Sequence, residues 1–265
     1  MFSDMSSVTK LPYKVAFASF RRSIQDWRGV YTAALENLSG YGVDRKIGQA
    51  KTCLCIGPNT GECEIQFVKR FMPHLERLVA VEPLPSSALD LEVNLKRNLP
   101  NVEIVVHQMT CQQFMQESHD GRSSYDVVTL FHVLYYMEYE DRMALFEKCN
   151  DGLLSKDGSV VAHHAKRADE QDEFQVLIDQ FRTPRTFTTM ETFRGELLAT
   201  GFSIYCEHEY AICYDMSEPD ENLLTFVSEN IVGRKLSSRD FQDAVQRVQP
   251  TGKFNETYVF MLLDA

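Results

Sequence analysis

Between Cys53 and Glu62 the chain reads CLCIGPNTGE, an apolar run followed by a short turn and a carboxylate. Gly57 and Gly61 would let the backbone approach a ligand closely. Asn59 stands where the middle glycine of a Gly-x-Gly-x-Gly turn is expected, and asparagine accepts left-handed dihedrals better than most residues. Pro58 has no N–H to offer a phosphate, and Glu62 would repel a pyrophosphate, so a dinucleotide is disfavoured. Roughly twenty positions on, where an acid typically binds ribose hydroxyls in such folds, Glu82 ends the apolar run RLVAVE. A turn and a spaced acid without phosphate chemistry point to S-adenosylmethionine, a nucleoside that carries a cation and no phosphate. No Cys-x-x-Cys and no Cys/His cluster at zinc spacing is present, so no metal is expected.

The elements that must position these residues are legible from periodicity. CLCIG, RLVAVEP, VEIVVH, YDVVTLFHVLYY and GSVVAHH are five near-continuous apolar runs, separated by segments of helical spacing. Such strands belong to a parallel sheet covered on both faces. The helix of SSALDLEVNLKRNL is expected to be capped by Ser86 or Ser87, with Leu89, Val93 and Leu95 opening its apolar face. CQQFMQES is expected to form a short helix, and DRMALFEKCNDGLL a helix closing near Asp151-Gly152. TTMETFRGELLATGF is expected to be capped by Thr188 or Thr189 and stopped by Gly201. FSIYCEHEYAICY and TYVFMLLDA alternate more and read as two late strands, one an antiparallel hairpin partner at the sheet edge. Residues 1–50 read as helical, with Tyr13, Phe17 and Phe20 spaced three to four apart.

The expected architecture is therefore α/β: a Rossmann-like, seven-stranded, mostly parallel sheet with one late antiparallel strand, helices on both faces and an N-terminal helical cap. One domain is expected over 1–265, with 1–50 as a cap over the site, 51–165 as the cofactor-binding half and 166–265 as the substrate side. At 265 residues and 44% hydrophobic content the chain can bury a core unaided. The net charge of −11 and the lack of a basic run argue against nucleic acid as a partner. Seven cysteines, with Cys53 and Cys55 facing one side of a strand, read as buried thiols in a reducing compartment. No apolar h-region opens the chain and no apolar stretch nears ~20 residues, so a cytoplasmic protein without a membrane span is expected, as a monomer.

The turn IGPNTGE, then VEP, YDVVTLFHVLYY and LLSKDGSVV resemble class I S-adenosylmethionine-dependent methyltransferases. SFRR at Ser19–Arg22, Ile47-Gly48, Gly61-Glu62, VEPLPSSA, HVLYY and the ending FNETYVFMLLDA are similar, more narrowly, to the histamine N-methyltransferase family. That resemblance implies a small-molecule N-methyltransferase acting on an imidazole or biogenic amine. It implies Gly57 against the cofactor backbone, Glu82 on the ribose, Ser87 in place of a glutamine near the adenosine, Thr110-Cys111 by the adenine and Phe131 beneath the methionine part. For the acceptor it implies Phe20, Tyr135, Tyr136 and Phe226. His132 replaces a family glutamine and Glu256 a family asparagine; both are candidates for contacting the acceptor and for handling its proton. The family's N-terminal glutamate has no clear match, with Gln25, Asp26 and Gly29 all near its place. The remaining histidines (His74, His107, His163, His164 and His208) read as structural. Two alternatives stand beside this one: a methyltransferase-like module that binds the cofactor without catalysis, and an enzyme methylating a histidine-containing dipeptide or another small amine.

Overall fold

In the computed structural model, residues 13–117, 124–166, 172–181 and 189–265 are described. They fall into two compact units. The larger comprises Arg28–Asp169, Thr186–Ala211 and Thr257–Ala265; the smaller comprises Met1–Trp27, Glu170–Arg185 and Ile212–Glu256.

Seven strands form one sheet: β1 (Thr52–Ile56), β2 (Arg77–Val81), β3 (Glu103–His107), β4 (Tyr125–Phe131), β5 (Leu154–Ala165), β6 (Ser203–Asp215) and β7 (Lys253–Asp264), in the order β3-β2-β1-β4-β5-β7-β6. β1 to β5 pair in parallel, Leu54 standing opposite Val79 and Val128. β7 runs antiparallel to β5, with His163 opposite Phe260. The expected mostly parallel, seven-stranded sheet is what forms. The expected place of the antiparallel strand is corrected. β7 lies inside the sheet, buried from Tyr258 to Leu263, and β6 takes the edge. Two helices separate β6 from β7, so they are no tight hairpin. The strand order reverses between β1 and β4, and at such a switch the strand ends splay apart and leave a crevice.

In the larger unit, α2 (Trp27–Gly40, its first residue excepted) and α3 (Val43–Ile47) precede β1. Then α4 (Glu62–Phe71), α5 (Pro85–Asn98), α6 (Cys111–Gln116), α7 (Tyr139–Lys148) and α9 (Met190–Ala199) follow, with α8 belonging to the smaller unit. Neither Ser86 nor Ser87 caps α5: Leu84 is the N-cap and Pro85 the first helical residue, where its missing N–H costs nothing. The face of α5 is also rotated from expectation. Ala88, Leu91 and Leu95 are buried, while Leu89 and Val93 are exposed, because the i, i+3, i+7 set starts one residue earlier. Thr110 caps α6 in a full capping box: its hydroxyl accepts from Gln113 N–H at 3.2 Å and its own N–H donates to Gln113 at 2.9 Å. After α7 the chain widens through Cys149–Leu153 and turns at Gly152, whose φ of 119° suits glycine. Thr189 caps α9; Thr188 lies outside the described residues. Cys53 and Cys55 share a face with sulfurs 3.8 Å apart, and all seven cysteines are free thiols.

The smaller unit contains α1 (Tyr13–Ser23), α8 (Glu173–Asp179), α10 (Glu221–Phe226) and α11 (Ser238–Val248), with the last residues of β6 and the first of β7. Asp220 ties α1 to α10: it caps α10 through Leu223 N–H at 2.7 Å and accepts from Ser19 Oγ at 2.6 Å. Among the described residues no helix is long and apolar enough to cross a membrane.

Candidate active site

The turn after β1 bends through three left-handed residues in five, Gly57 (φ 63°), Asn59 (φ 53°) and Gly61 (φ 77°). Asn59 thus adopts the dihedrals expected of the missing glycine. Packing also requires the two true glycines. A Cβ on Gly57 would lie 2.5 Å from a Val133 methyl, and one on Gly61 would lie 2.7 Å from Leu91 Cδ1. Gly57 N–H donates to Val81 O at 2.8 Å, which holds the turn to the end of β2.

Glu82 locks the turn from the neighbouring strand. One carboxylate oxygen accepts from Asn59 N–H at 2.9 Å and the other from Leu84 N–H at 3.0 Å. The residue is only 3% exposed. Burial raises its pKa above the ordinary glutamate value, against the lowering effect of these two N–H donors. Each oxygen retains a further lone pair, so the carboxylate can brace the turn and still accept from a ribose hydroxyl. No backbone N–H is available at Pro58, and the first turn of α4 carries Glu62 and Glu64. Glu62 faces Arg28 at 3.6 Å. This donor set suits a neutral or cationic group beside a diol and is wrong for a pyrophosphate.

The remaining expected cofactor residues lie nearby in sequence order but differ in access. Ser87 is buried on the inner face of α5. The Thr110 hydroxyl is engaged in its capping box, and burial pushes the Cys111 thiol up to about 12, so it is neutral at physiological pH. Phe131 is a core ring, packed edge-on against Phe67, His163 and Phe260 at 5.4–5.8 Å.

Beyond β4 the chain turns sharply. His132 has φ 53°, and its N–H donates to His163 O at 2.8 Å. A non-glycine residue held left-handed at a strand end stores backbone strain, a feature that clusters at functional sites. Tyr135 and Tyr136 follow on a single 3-10 turn, Leu134–Tyr136, their rings 4.5 Å apart. Tyr135 is half-buried and packs on His164 at 5.6 Å, while Tyr136 is exposed. Arg142 fixes the exit of this turn. It donates to Met137 O at 2.6 Å and makes a two-pronged contact to Glu196 at 2.5 and 2.7 Å, deep in the unit.

The structure also gathers residues that spacing alone kept apart. His163 and His164, expected to be merely structural, are buried beside His132, with ring centroids 4.4 and 6.0 Å from it. Tyr258 lies 5.2 Å from His132, and His163 Nε2 shares a 2.8 Å hydrogen bond with Tyr210 Oη. The signal was present in sequence as two apolar strands each running into histidine, VVTLFH and VVAHH. Only the register pairing Phe131 with His163 brings them together. Among the described residues no group of three or more His, Cys, Asp or Glu side chains is placed to hold a metal ion.

The other expected acceptor residues belong to the smaller unit. Phe20 stacks on Phe226 at 4.6 Å and tilts against Tyr214 at 5.3 Å, and Phe174 stacks on Tyr214 at 4.3 Å. Glu256 is 2% exposed and accepts from Tyr214 Oη at 2.7 Å. These residues form an aromatic core around one carboxylate. Of the three positions near the family's glutamate, Asp26 is left-handed (φ 43°) and Gln25 reaches Asp215 at 3.4 Å. Gly29 lies within α2.

The fold is that of class I methyltransferases. The chain is similar to a candidate methyltransferase from Bacillus halodurans (TM-score 0.55, 14% identity, covering 85% of this chain and 98% of that one). It is also similar to a mycolic acid cyclopropane synthase complexed with SAH and CTAB (0.54, 14%, 95% and 95%). A third neighbour is the plantazolicin methyltransferase BamL in complex with a triazolic desmethylPZN analog and SAH (0.51, 14%, 94% and 89%). No protein-family model matches the sequence, and no curated protein does either. At such identities the likeness is one of fold, on which many chemistries are built.

Proposed function

We propose that this chain is an S-adenosylmethionine-dependent N-methyltransferase acting on a small imidazole or amine, like the histamine N-methyltransferase family its sequence resembles. The observation that carries this is the left-handed Gly57–Gly61 turn braced by a buried Glu82, with Pro58 lacking an N–H and Glu62 and Glu64 in the helical turn that follows. Two fold neighbours hold SAH, the demethylated form of that cofactor. Glu82 would accept from the ribose hydroxyls, the turn backbone would lie against the nucleoside, and the neutral Cys111 thiol would border the purine.

When bound, S-adenosylmethionine supplies an electrophilic methyl whose bonding pair stays with sulfur as the acceptor nitrogen's lone pair takes the carbon. The protein's own part is orientation, which in favourable cases lowers barriers by several kcal/mol. Tyr135 and Tyr136 offer ring faces to a flat heterocycle or an ammonium. His132, following β4 just before this pair, would be the group to accept the proton that the methylated nitrogen sheds. The buried thiols support a reducing, cytoplasmic setting.

The test is the purified chain with methyl-labelled cofactor and a panel of histamine, histidine, carnosine and arylalkylamines, products being identified by mass. Label in an N-methylated product is the expected result. Cofactor binding by calorimetry with no label transfer to any acceptor would favour the non-catalytic module.

A further inference from the structure

We propose that the sheet edge at β3 is a self-association surface, on which two copies of this chain pair their β3 strands antiparallel about a two-fold axis at Val105. The two sheets then join into one. The proposal is independent of the methyl-transfer reading, and it replaces the monomer expected from the sequence.

β3 ends the strand order, and among the described residues it pairs only with β2. Glu103 N–H donates to Glu76 O at 2.8 Å, and His107 O accepts from Glu82 N–H at 3.0 Å. Alternate residues of a strand in a parallel ladder bond the same neighbour. Glu103, Val105 and His107 therefore bond β2, while Ile104 and Val106 turn their N–H and C=O groups outward. Such an open row templates a further strand, and edges are commonly blunted by lysine, proline or a bulge. The stretch Val102–His107, VEIVVH, has no lysine and no proline. Its register with β2 runs without a shift, and Ile104, Val105 and Val106 are only half-buried. The opposite edge is charged: on β6, Glu207 and Glu209 pair with Arg194 and Lys166.

The outward groups fix the register. Hydrogen-bonded and non-hydrogen-bonded pairs alternate along an antiparallel ladder. Setting Ile104 opposite Val106 of the other copy, and Val106 opposite its Ile104, uses the outward residues of both strands, each pair exchanging both of its N–H···O bonds. Val105 then faces Val105, and Glu103 faces His107, as the closer non-hydrogen-bonded pairs. The pattern is self-complementary, as a closed two-fold dimer requires. Glu103 meets Arg77 at 3.6 Å in its own chain, and its carboxylate can also accept from His107 of the other copy. Unlike charges directly opposite each other stabilise a strand pair. A slip of two residues towards Val102 loses the Glu103–His107 pairs. It also enlists Val102, whose N–H is already given to Leu99 O at 3.1 Å.

A two-fold perpendicular to the sheet keeps each face on its own side. Two copies of α5, the helix that packs on β3, thus flank the junction on one face. α5 leaves Leu89 and Val93, one helical turn apart, 66% and 54% exposed. Strands of five residues make a weak pair by themselves. Covering these two side chains adds the apolar burial that association needs.

Sedimentation velocity on the full chain over a concentration series should show a monomer–dimer equilibrium. Val106→Lys puts a charge opposite Ile104 in both halves and should raise the dimer dissociation constant about tenfold or more. Leu89→Gln with Val93→Gln, both at exposed positions, should also raise it, and serves if Val106→Lys fails to fold. Val105→Cys reads the register. Cα atoms of a non-hydrogen-bonded pair lie about 4.5 Å apart, within disulfide reach, so oxidised glutathione should link two copies. Ile104→Cys sets its thiols on a diagonal of about 7–8 Å and should link far less. Wild type, whose cysteines are buried except the half-buried Cys213, gives the background. A monomer at every concentration overturns the proposal. So does a dimer that neither surface variant weakens, or one that Val105→Cys links no better than Ile104→Cys. Preferential linking through Val105→Cys supports the pairing whether or not the chain transfers methyl groups.

Discussion

Replacing Glu82 separates two roles that one carboxylate plays. Its oxygens accept the Asn59 and Leu84 N–H groups at 2.9 and 3.0 Å, in a setting that is 3% exposed. Glu82→Ala removes both acceptors. Each buried donor left unpaired costs about 1–3 kcal/mol, so the loss in stability should be roughly 2–6 kcal/mol. Glu82→Gln keeps one carbonyl oxygen and sets an amide N–H₂ against a backbone N–H, for about 1–3 kcal/mol. In either variant the cofactor loses hydrogen bonds to a charged group, worth about 1.5–3 kcal/mol in affinity, or roughly ten- to 150-fold in Kd. Denaturant unfolding of the free protein measures the first effect, and calorimetry under conditions where the variant is folded measures the second. The pH dependence has a definite sign. Burial raises Glu82's folded pKa above its ordinary value of 4.5, so the folded state binds the proton more tightly than the unfolded. Glu82's contribution to stability is thus full below the unfolded pKa and is lost as pH rises through the folded one. Ribose hydroxyls favour the ionised form, so cofactor affinity should weaken as pH falls through that same folded pKa. Unchanged cofactor affinity in a folded Glu82→Gln protein would remove Glu82 from the ribose, and unchanged stability in Glu82→Ala would refute the bracing of the turn.

Gly57→Ala should cost about 1–3 kcal/mol by overpacking, plus the left-handed penalty, because its Cβ would lie 2.5 Å from Val133; unfolding free energy no lower than wild type would contradict this. Breaking the buried pair with Arg142→Met alone should cost about 3–5 kcal/mol, whereas Arg142→Met with Glu196→Leu should recover most of it. The double variant still lacks the donor to Met137 O, so acceptor KM should remain raised with cofactor Kd normal, and a normal acceptor KM would free the Tyr135–Tyr136 turn from this restraint. Burial works to raise the Asp126 pKa, but the N–H groups of Lys51 and Thr52 and the hydroxyls of Ser155 and Thr52 outweigh it and leave it lowered. Asp126 therefore stabilises the fold above its unfolded pKa of about 3.8, the contribution fading as pH falls through the depressed value. Asp126→Asn should flatten that acid-side slope in pH-dependent unfolding.

What the sequence determined by itself was whatever depends on local chemistry. Five apolar runs between helical segments dictate a parallel sheet, since strands covered on both faces need no polar alternation. Asn59 at a glycine position announced the left-handed turn, because backbone dihedrals are written within a few residues; that Glu82, twenty-three positions on, also accepts from Asn59 N–H was decided by the pairing of β1 with β2. Local rules failed where packing chose between near-equal options. Pro85 displaced Ser86 and Ser87 from the cap of α5, and the phase of that helix buried Ala88, Leu91 and Leu95 in place of Leu89 and Val93. The position of β7 inside the sheet, between β5 and the β6 edge, depends on pairings across the whole chain that no window reveals. So do the juxtaposition of His132 with His163, thirty-one positions apart in sequence, and the bond from His163 to Tyr210. Strand register is a collective property of the sheet, and it alone turns histidines that look scattered in sequence into neighbours 4.4 Å apart.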